Sequence, residues 1–199
     1  NRISLIQDKY DEWFQLSSAL GEGYYLALTL NDETRRERFL KTVSLLNERF
    51  QRFVRNVYWQ LFSLSGFRYP IVISREQEYL RAQQSSRKAL IVIDGMNLWQ
   101  WFAISEQLKN SGLSVNDMSL FAYLPTITAW SRQSLFAGMK PDLTKDNRDE
   151  EKRFSKYWMG KNFQNYQIKF YTFGLSKSSY DIDDVSDSCE VLALVNNDL

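Results

Sequence analysis

The chain has 199 residues, of which 44% are hydrophobic and 15% aromatic, enough apolar material for one or two packed domains. Its net charge of +1 provides no overall attraction to nucleic acid or membrane surfaces, and no apolar stretch reaches the ~20 residues that a membrane span needs. A single cysteine argues against a disulfide framework and predicts a cytoplasmic protein, while the lack of histidine excludes serine–histidine catalysis by this chain alone.

Residues 1 to about 65 are predicted to be helical. An apolar stripe near the start is expected to break at Gly21-Glu22-Gly23, and a longer stripe from Phe39 to Leu61 repeats at helical spacing. The other face of this longer helix is basic; we call it the basic face, and it comprises Arg35, Arg36, Arg38, Lys41, Arg49, Arg52 and Arg55. It is either a solvated surface balanced by nearby glutamates or a docking surface for a partner or phosphate-rich ligand.

Strands and helices are predicted to alternate after a turn region at 63–70 and a polar helix or linker at 77–88. The predicted strands and helices, in chain order, are 89–93, 97–110, 118–124, 129–137, 149–160, 167–173 and 191–195, with Gly112 and Gly138 as helix ends. This alternation predicts a parallel sheet covered on both faces. The fold class is therefore α/β, a partial parallel-sheet core at 86–199 preceded by an α-helical segment at 1–85.

Polar side chains follow two of these predicted strands. Asp94 comes after the strand 89–93, and Thr128 stands at the start of the helix that follows the strand 118–124. Neighbouring parallel strands would bring both residues to the ligand-binding edge of the sheet, where a carboxylate suits a divalent cation and a threonine hydroxyl suits a nucleophile. In the alternative interpretation, each residue simply caps the helix after it.

Two further side chains of the same helix are candidates for substrate contact. Arg132 lies one turn after Thr128, where a guanidinium could bind a phosphate; alternatively it forms a surface salt bridge with Glu106 or Asp117. Trp130 could stack on a base, although aromatic residues of such domains are mostly part of the core.

Two stretches carry a resemblance to a known family. They are Ala89-Leu90-Ile91-Val92-Ile93-Asp94-Gly95-Met96 and the longer Leu124–Pro141, in which a Pro-Thr-x-Thr start and a Gly-x-x-Pro end keep a fixed separation. Both resemble the PglZ domain, a branch of the alkaline phosphatase superfamily. The longer stretch is also similar to the nucleophile segment of nucleotide pyrophosphatase/phosphodiesterases.

The resemblance implies roles for individual residues. Thr128 matches the metal-bound nucleophile, and Asp94 matches the first metal-ligating aspartate. Ser131 stands where those relatives carry an asparagine that stabilises the phosphoryl oxygens. Asn196-Asn197-Asp198 resembles the start of the next metal-binding segment, which makes Asp198 a candidate ligand; alternatively, Asp198 has a packing or capping role. The implied cofactor is a pair of divalent metal ions, zinc or manganese, whose site residues outside this chain would complete.

The resemblance also implies a function. It is a metal-dependent phosphohydrolase of the phosphodiesterase type, acting on a phosphodiester or nucleotide in bacterial phage defence of the BREX kind, with a DNA methyltransferase or another defence protein as partner. The sequence is expected to be a truncated piece that is inactive by itself. The alternative is an inactive phosphatase-fold scaffold that recruits partners through its helical segment. A third hypothesis, nucleic-acid binding through the basic face, is disfavoured by the near-neutral net charge.

Overall fold

The computed structural model describes residues 9–64, 69–174 and 185–196. None of the helices in these ranges combines the length and the apolar character needed to cross a bilayer. The α-helices and strands are α1 (Tyr10–Thr29), α2 (Glu33–Asn56), α3 (Glu76–Ala82), β1 (Lys88–Ile93), α4 (Leu98–Asn110), α5 (Thr128–Ala137), α6 (Glu150–Met159), β2 (Ile168–Phe173) and β3 (Val191–Asn196). Short 3₁₀ helices cover Tyr58–Ser63, Ile73–Arg75 and Asn165–Gln167.

The chain divides into two compact units, each built from two separate segments. The first unit comprises 1–65 and 96–120, and the second comprises 66–95 and 121–199. Helix α4 therefore packs with the N-terminal helices, although it follows β1 in the sequence. The domain boundary predicted near residue 85, between a helical segment and an α/β part, stays a prediction.

In the first unit, α1 passes without interruption through the glycines that were expected to end it, so that prediction is wrong. A Cβ atom at Gly21 would lie 2.7 Å from the carbonyl oxygen of Leu98, and one at Gly23 would lie 2.3 Å from the ring of Phe39. Both glycines therefore allow neighbouring helices to pack closely, because a neighbouring residue occupies the position that a side chain would take. Burial of α1 against α4 and α2 outweighs the low helix propensity of glycine.

Helix α2 carries the basic face. Asp32 is its N-cap and accepts a hydrogen bond from the backbone N–H of Arg35. The Arg35 side chain also pairs with Asp32 at 3.0 Å, and Arg36 lies 3.8 Å from Glu33. These exposed pairs are as expected of a solvated surface, and they leave the docking interpretation of the basic face as a prediction.

In the second unit, β1, β3 and β2 form an all-parallel sheet with β3 in the centre. Lys88 and Ile168 both align with Val191, and the register continues without a bulge to Asn196. The three strands therefore end together at one edge of the sheet. The predicted α/β class and the predicted strands at 89–93, 167–173 and 191–195 are confirmed within a residue.

Helices α5 and α6 pack on one face of this sheet and form its core. Phe136, Phe154 and Trp158 are fully buried against Val191 and Val195 of the central strand. The ring of Phe136 contacts that of Phe154 edge-on, with centroids 6.1 Å apart. These contacts fix α5 beside the sheet, and its end at Gly138 is as predicted, with a left-handed φ of +63°.

The predicted strand at 118–124 is wrong. Only Phe121 forms a bridge, to Val72, through hydrogen bonds with Ile71 and Ile73. The neighbour of β1 in the sheet is β3, whose six residues satisfy the backbone groups of β1 on that side. Apolar runs look alike in sequence whether or not a partner strand is present, so the pattern could not reveal this.

Candidate functional site at the carboxyl edge of the sheet

Asp94 directly follows β1. Its N–H donates to the carbonyl of Asn196 at 3.3 Å, which holds the turn to the end of β3. Gly95 supplies the positive φ of +75° that the turn requires. Asn97 occupies the N-cap position of α4, where its N–H donates to Gln100 Oε1, so the interpretation of Asp94 as that cap is wrong. The carboxylate of Asp94 is about one third exposed and remains available for ligands.

Thr128 is the first residue of α5 and is exposed. Ile127 holds the N-cap position and offers no side-chain hydrogen bond, so neither Thr126 nor Thr128 caps the helix and that alternative is wrong. The N–H of Ile127 donates to the carbonyl of Pro125 at 2.7 Å, which forms a tight turn before the helix. The positive end of α5 is therefore not covered by a capping side chain, an arrangement that favours an anion.

Arg132 connects the helix to Asp94. Its guanidinium is buried and donates from Nη2 to Glu150 Oε2 at 2.5 Å, while Nη1 lies 3.7 Å from Asp94 Oδ2. Arg132 stands one turn after Thr128, so α5 reaches the end of β1 through the Arg132 side chain, although 118–124 is not a strand of the sheet. The structure thus brings Asp94 and Arg132 together by a route that the sequence did not suggest.

The predicted surface partners of Arg132 are wrong. Glu106 and Asp117 pair with Lys109 in the first unit, at 2.9 Å and 3.4 Å. Arg132 is only 7% exposed. Its predicted role as a phosphate-binding residue is untested, but its charge is already opposed by two carboxylates.

Glu150 is a functional candidate that the sequence analysis missed. Its Oε1 accepts a hydrogen bond from Asn147 Nδ2, and burial raises the pKa of its carboxyl against the opposing influence of Asn147 and Arg132. A signal was present in the sequence. Glu150, Phe154 and Trp158 are spaced four residues apart, which places a carboxylate on the buried face of α6 and so predicts a buried partner.

The other two predicted substrate contacts lie on the same helix. Ser131 Oγ is buried and makes no hydrogen bond within the part of the chain that the structure describes. Trp130 is half-buried and packs edge-on against Tyr123, with ring centroids 6.4 Å apart. An unpaired hydroxyl one turn from Thr128 suits an oxygen-rich ligand, since buried hydroxyl groups ordinarily have a partner.

The donors at this edge fit a divalent cation in type. Asp94 and Thr128 offer hard oxygen atoms, the kind that magnesium and manganese prefer. Across residues 9–64, 69–174 and 185–196, no group of three or more histidine, cysteine, aspartate or glutamate side chains is arranged to hold a metal. Asp198, the further predicted ligand, lies outside the described residues. Asp94 and Thr128 would therefore hold a cation only together with further ligands.

Comparison with known families finds one match, to a segment of the chain that contains this edge of the sheet. Residues 75–155 match the BREX system PglZ alkaline phosphatase-like domain. Over this segment, which is less than half of the chain, the protein is similar to the PglZ family. The PglZ segment begins just before α3, ends within α6, and contains Asp94, Thr128, Arg132 and Glu150. No curated protein matches the chain.

The PglZ match supports the coarse functional class, a phosphatase-fold protein of BREX defence. The observed all-parallel sheet with helices packed on it is consistent with part of an alkaline-phosphatase-like core. Proteins of that superfamily generally use divalent metal ions.

Proposed function

We propose that the protein is a metal-dependent phosphohydrolase of the phosphodiesterase type, with the hydroxyl of Thr128 as its nucleophile, working in the cytoplasm in phage defence. One observation supports the proposal: Arg132, one turn after the exposed and uncapped Thr128 on α5, has its guanidinium 3.7 Å from the carboxylate of Asp94 at the end of β1. In the proposed reaction, Thr128 would supply the nucleophile and Asp94 a metal-binding carboxylate at the edge where parallel sheets bind ligands.

The residues of α5 have separate parts in the reaction. The N-terminal N–H groups of the helix would bind the negatively charged phosphoryl oxygens, and the Ser131 hydroxyl would donate to one of them. The face of Trp130 would support a base or another flat leaving group. The substrate implied is thus a phosphodiester or nucleotide.

The covalent step forms a bond between Thr128 Oγ1 and phosphorus and breaks the bond from phosphorus to the leaving alkoxide, which takes up a proton. Water then attacks the phosphothreonine, restores the threonine hydroxyl and releases the phosphomonoester. Asp94 and Thr128 would contribute to holding zinc or manganese, with a second ion completing the site. When bound, such ions favour the ionised hydroxyl and offset the charge that develops on the phosphoryl oxygens.

The test is hydrolysis of bis-p-nitrophenyl phosphate by the full-length protein in the presence of manganese or zinc. Thr128→Ala should lower kcat by roughly 1,000-fold or more, because the covalent route is lost. Thr126→Ala is the matched control, since it removes the same groups two residues away, and its kcat should stay within about threefold of wild type. Thr128→Ser should keep part of the activity, because it retains a hydroxyl.

Equal losses in the two alanine variants would contradict the assignment of Thr128. If the folded, metal-loaded wild-type protein shows no hydrolysis, the proposal that it is an enzyme is rejected.

A second candidate function has one observation in its favour. The basic face of α2 is largely exposed. An inactive phosphatase-fold scaffold would use this face to bind a partner such as a DNA methyltransferase or another defence protein. Substituting Arg35, Arg38 and Arg52 by glutamate would then abolish co-purification with that partner, while Thr128→Ala would leave it unchanged.

A further inference from the structure

The end of α2 and the 3₁₀ helix after it combine exposed arginines with an exposed tryptophan. Arg52 and Arg55 lie in the last turns of α2, and Trp59 lies in the 3₁₀ helix Tyr58–Ser63. All three side chains are exposed, and Trp59 retains 55% of its accessible surface. We call these three residues the Arg–Trp patch, and it lies entirely within the first unit.

Helical spacing places the members of the Arg–Trp patch on the same side of the segment. They follow one another at intervals of three and four residues, which is about one helical turn each. The path continues past the end of α2, because the N–H of Val57 donates to the carbonyl of Phe53 at 2.8 Å. Phe53, Tyr58 and Leu61 occupy the other side and are buried. The core therefore directs the patch toward solvent.

Neighbouring aromatic rings hold the indole of Trp59 in place. Its ring meets that of Tyr58 edge-on, with centroids 5.0 Å apart, and lies at 29° to the ring of Phe62, with centroids 6.1 Å apart. The backbone is fixed as well, since Gln60 Nε2 donates to the carbonyl of Asn56 at 2.9 Å. A large aromatic surface that is already ordered loses little conformational entropy when another flat ring stacks on it.

The charge around Trp59 is of one sign along the chain. Between Arg49 and Leu64 the sequence contains three arginines and no aspartate or glutamate. The start of α2 differs, because Arg35 and Arg36 pair there with neighbouring carboxylates. The basic face is therefore not uniform, and its last turns present positive charge beside an exposed aromatic ring.

We propose that the Arg–Trp patch binds single-stranded nucleic acid. The guanidinium groups of Arg52 and Arg55 would bind phosphates, and the indole of Trp59 would stack on a base. A duplex keeps its bases stacked on one another and so offers no base to Trp59, while the net charge of +1 provides no general attraction to it. The proposal goes beyond the proposed function and does not depend on Thr128 or on a metal ion.

The test measures binding of labelled oligothymidylate and oligouridylate to the full-length protein by fluorescence anisotropy, with EDTA present so that no strand is hydrolysed. Trp59→Ala should weaken the affinity for both strands by roughly tenfold, because a stacked base is lost. Tyr166→Ala is the matched control, since Tyr166 is an aromatic residue of the second unit that is 62% exposed. Its affinity should stay within about twofold of wild type.

Salt dependence tests the arginines separately. Arg52→Gln combined with Arg55→Gln should reduce the slope of log Kd against log salt concentration by roughly 1.4, because each phosphate contact with a single strand contributes about 0.7. Arg35→Gln combined with Arg36→Gln removes the same charge at the other end of α2 and should leave the slope within about 0.3 of wild type. Trp59→Ala should lower the affinity without changing the slope, since stacking releases no counterions.

Three results would overturn the proposal: no binding of either strand, equal affinities of Trp59→Ala and Tyr166→Ala, or a duplex of the same length bound as tightly as the single strands. Displacement of the strands by polyglutamate at equal charge would also overturn it, in favour of an acidic protein partner. If Trp59→Ala does not fold, Trp59→Leu takes its place. Leucine keeps apolar bulk against Tyr58 and Phe62 but has no ring, so the same loss of affinity supports the proposal and an unchanged affinity overturns it.

Discussion

Gly138 ends the helix that carries Thr128. The structure predicts that a side chain at this position would lower the free energy of unfolding substantially. Its φ of +63° is left-handed, which costs an alanine about 1 kcal/mol. The new Cβ would also lie 2.6 Å from Cε2 of Tyr157. That ring cannot move freely, because its hydroxyl donates to Glu78 and the ring contacts that of Trp158 in an edge-on arrangement. Forcing this overlap adds about 1–3 kcal/mol.

We therefore expect Gly138→Ala to lower the free energy of unfolding by about 2–4 kcal/mol, measured by urea denaturation with tryptophan fluorescence. Gly95→Ala is the matched control in the same unit. Gly95 is also left-handed, at +75°, but its Cβ would have nothing within 4 Å, so only the conformational cost of about 1 kcal/mol remains. If the two variants agree within about 0.5 kcal/mol, the contact with Tyr157 does not limit this position and the reasoning is refuted.

Two further predictions concern the second unit. The pKa of Glu78 is lowered to about 2, first by its hydrogen bond from Arg81. Its ionised form therefore contributes stability that is complete above its unfolded value of about 4.3 and is lost as the pH falls toward 2. The Tm of Glu78→Gln should accordingly change less with pH than the Tm of the wild type does below about pH 4.5. An identical pH dependence of the two Tm values would contradict this. Gln133 is fully buried, donates to the carbonyl of Lys145 and accepts from the N–H of Asp142. Gln133→Leu should cost about 1–3 kcal/mol and speed hydrogen exchange at the Asp142 amide, whereas unchanged exchange would show that water replaces the side chain.

How much of the fold the sequence predicts depends on how local each signal is. The buried strands β1 and β3 follow from short apolar runs, and the end of α5 follows from a glycine in the position that favours left-handed backbone. The break expected at Gly21-Glu22-Gly23 fails because glycine is ambiguous: it ends a helix in one setting and permits close packing in another. Only the contact with Leu98, far along the chain, distinguishes the two.

In the candidate site, too, some features follow from local sequence and others depend on contacts between distant residues. The residue types at Asp94 and Thr128, and the motif spacing around them, determine by themselves which family the segment resembles and which chemistry to expect. The partner of Arg132 could not be predicted from the sequence. The carboxylates considered, Glu106 and Asp117, are not its partners, and Glu150 lies eighteen residues away along the chain.

The sequence by itself determined the three strands of the sheet, the α/β class and the chemistry to expect of the two candidate residues, because these depend on local spacing and residue type. Only the tertiary structure decided that β3, and not 118–124, lies beside β1, and that Arg132 is buried between Glu150 and Asp94. Strand pairing and burial of charge are settled by competition among distant segments for the same partners. The free energy that decides this competition comes from contacts in the packed core, and these contacts join residues from distant parts of the chain.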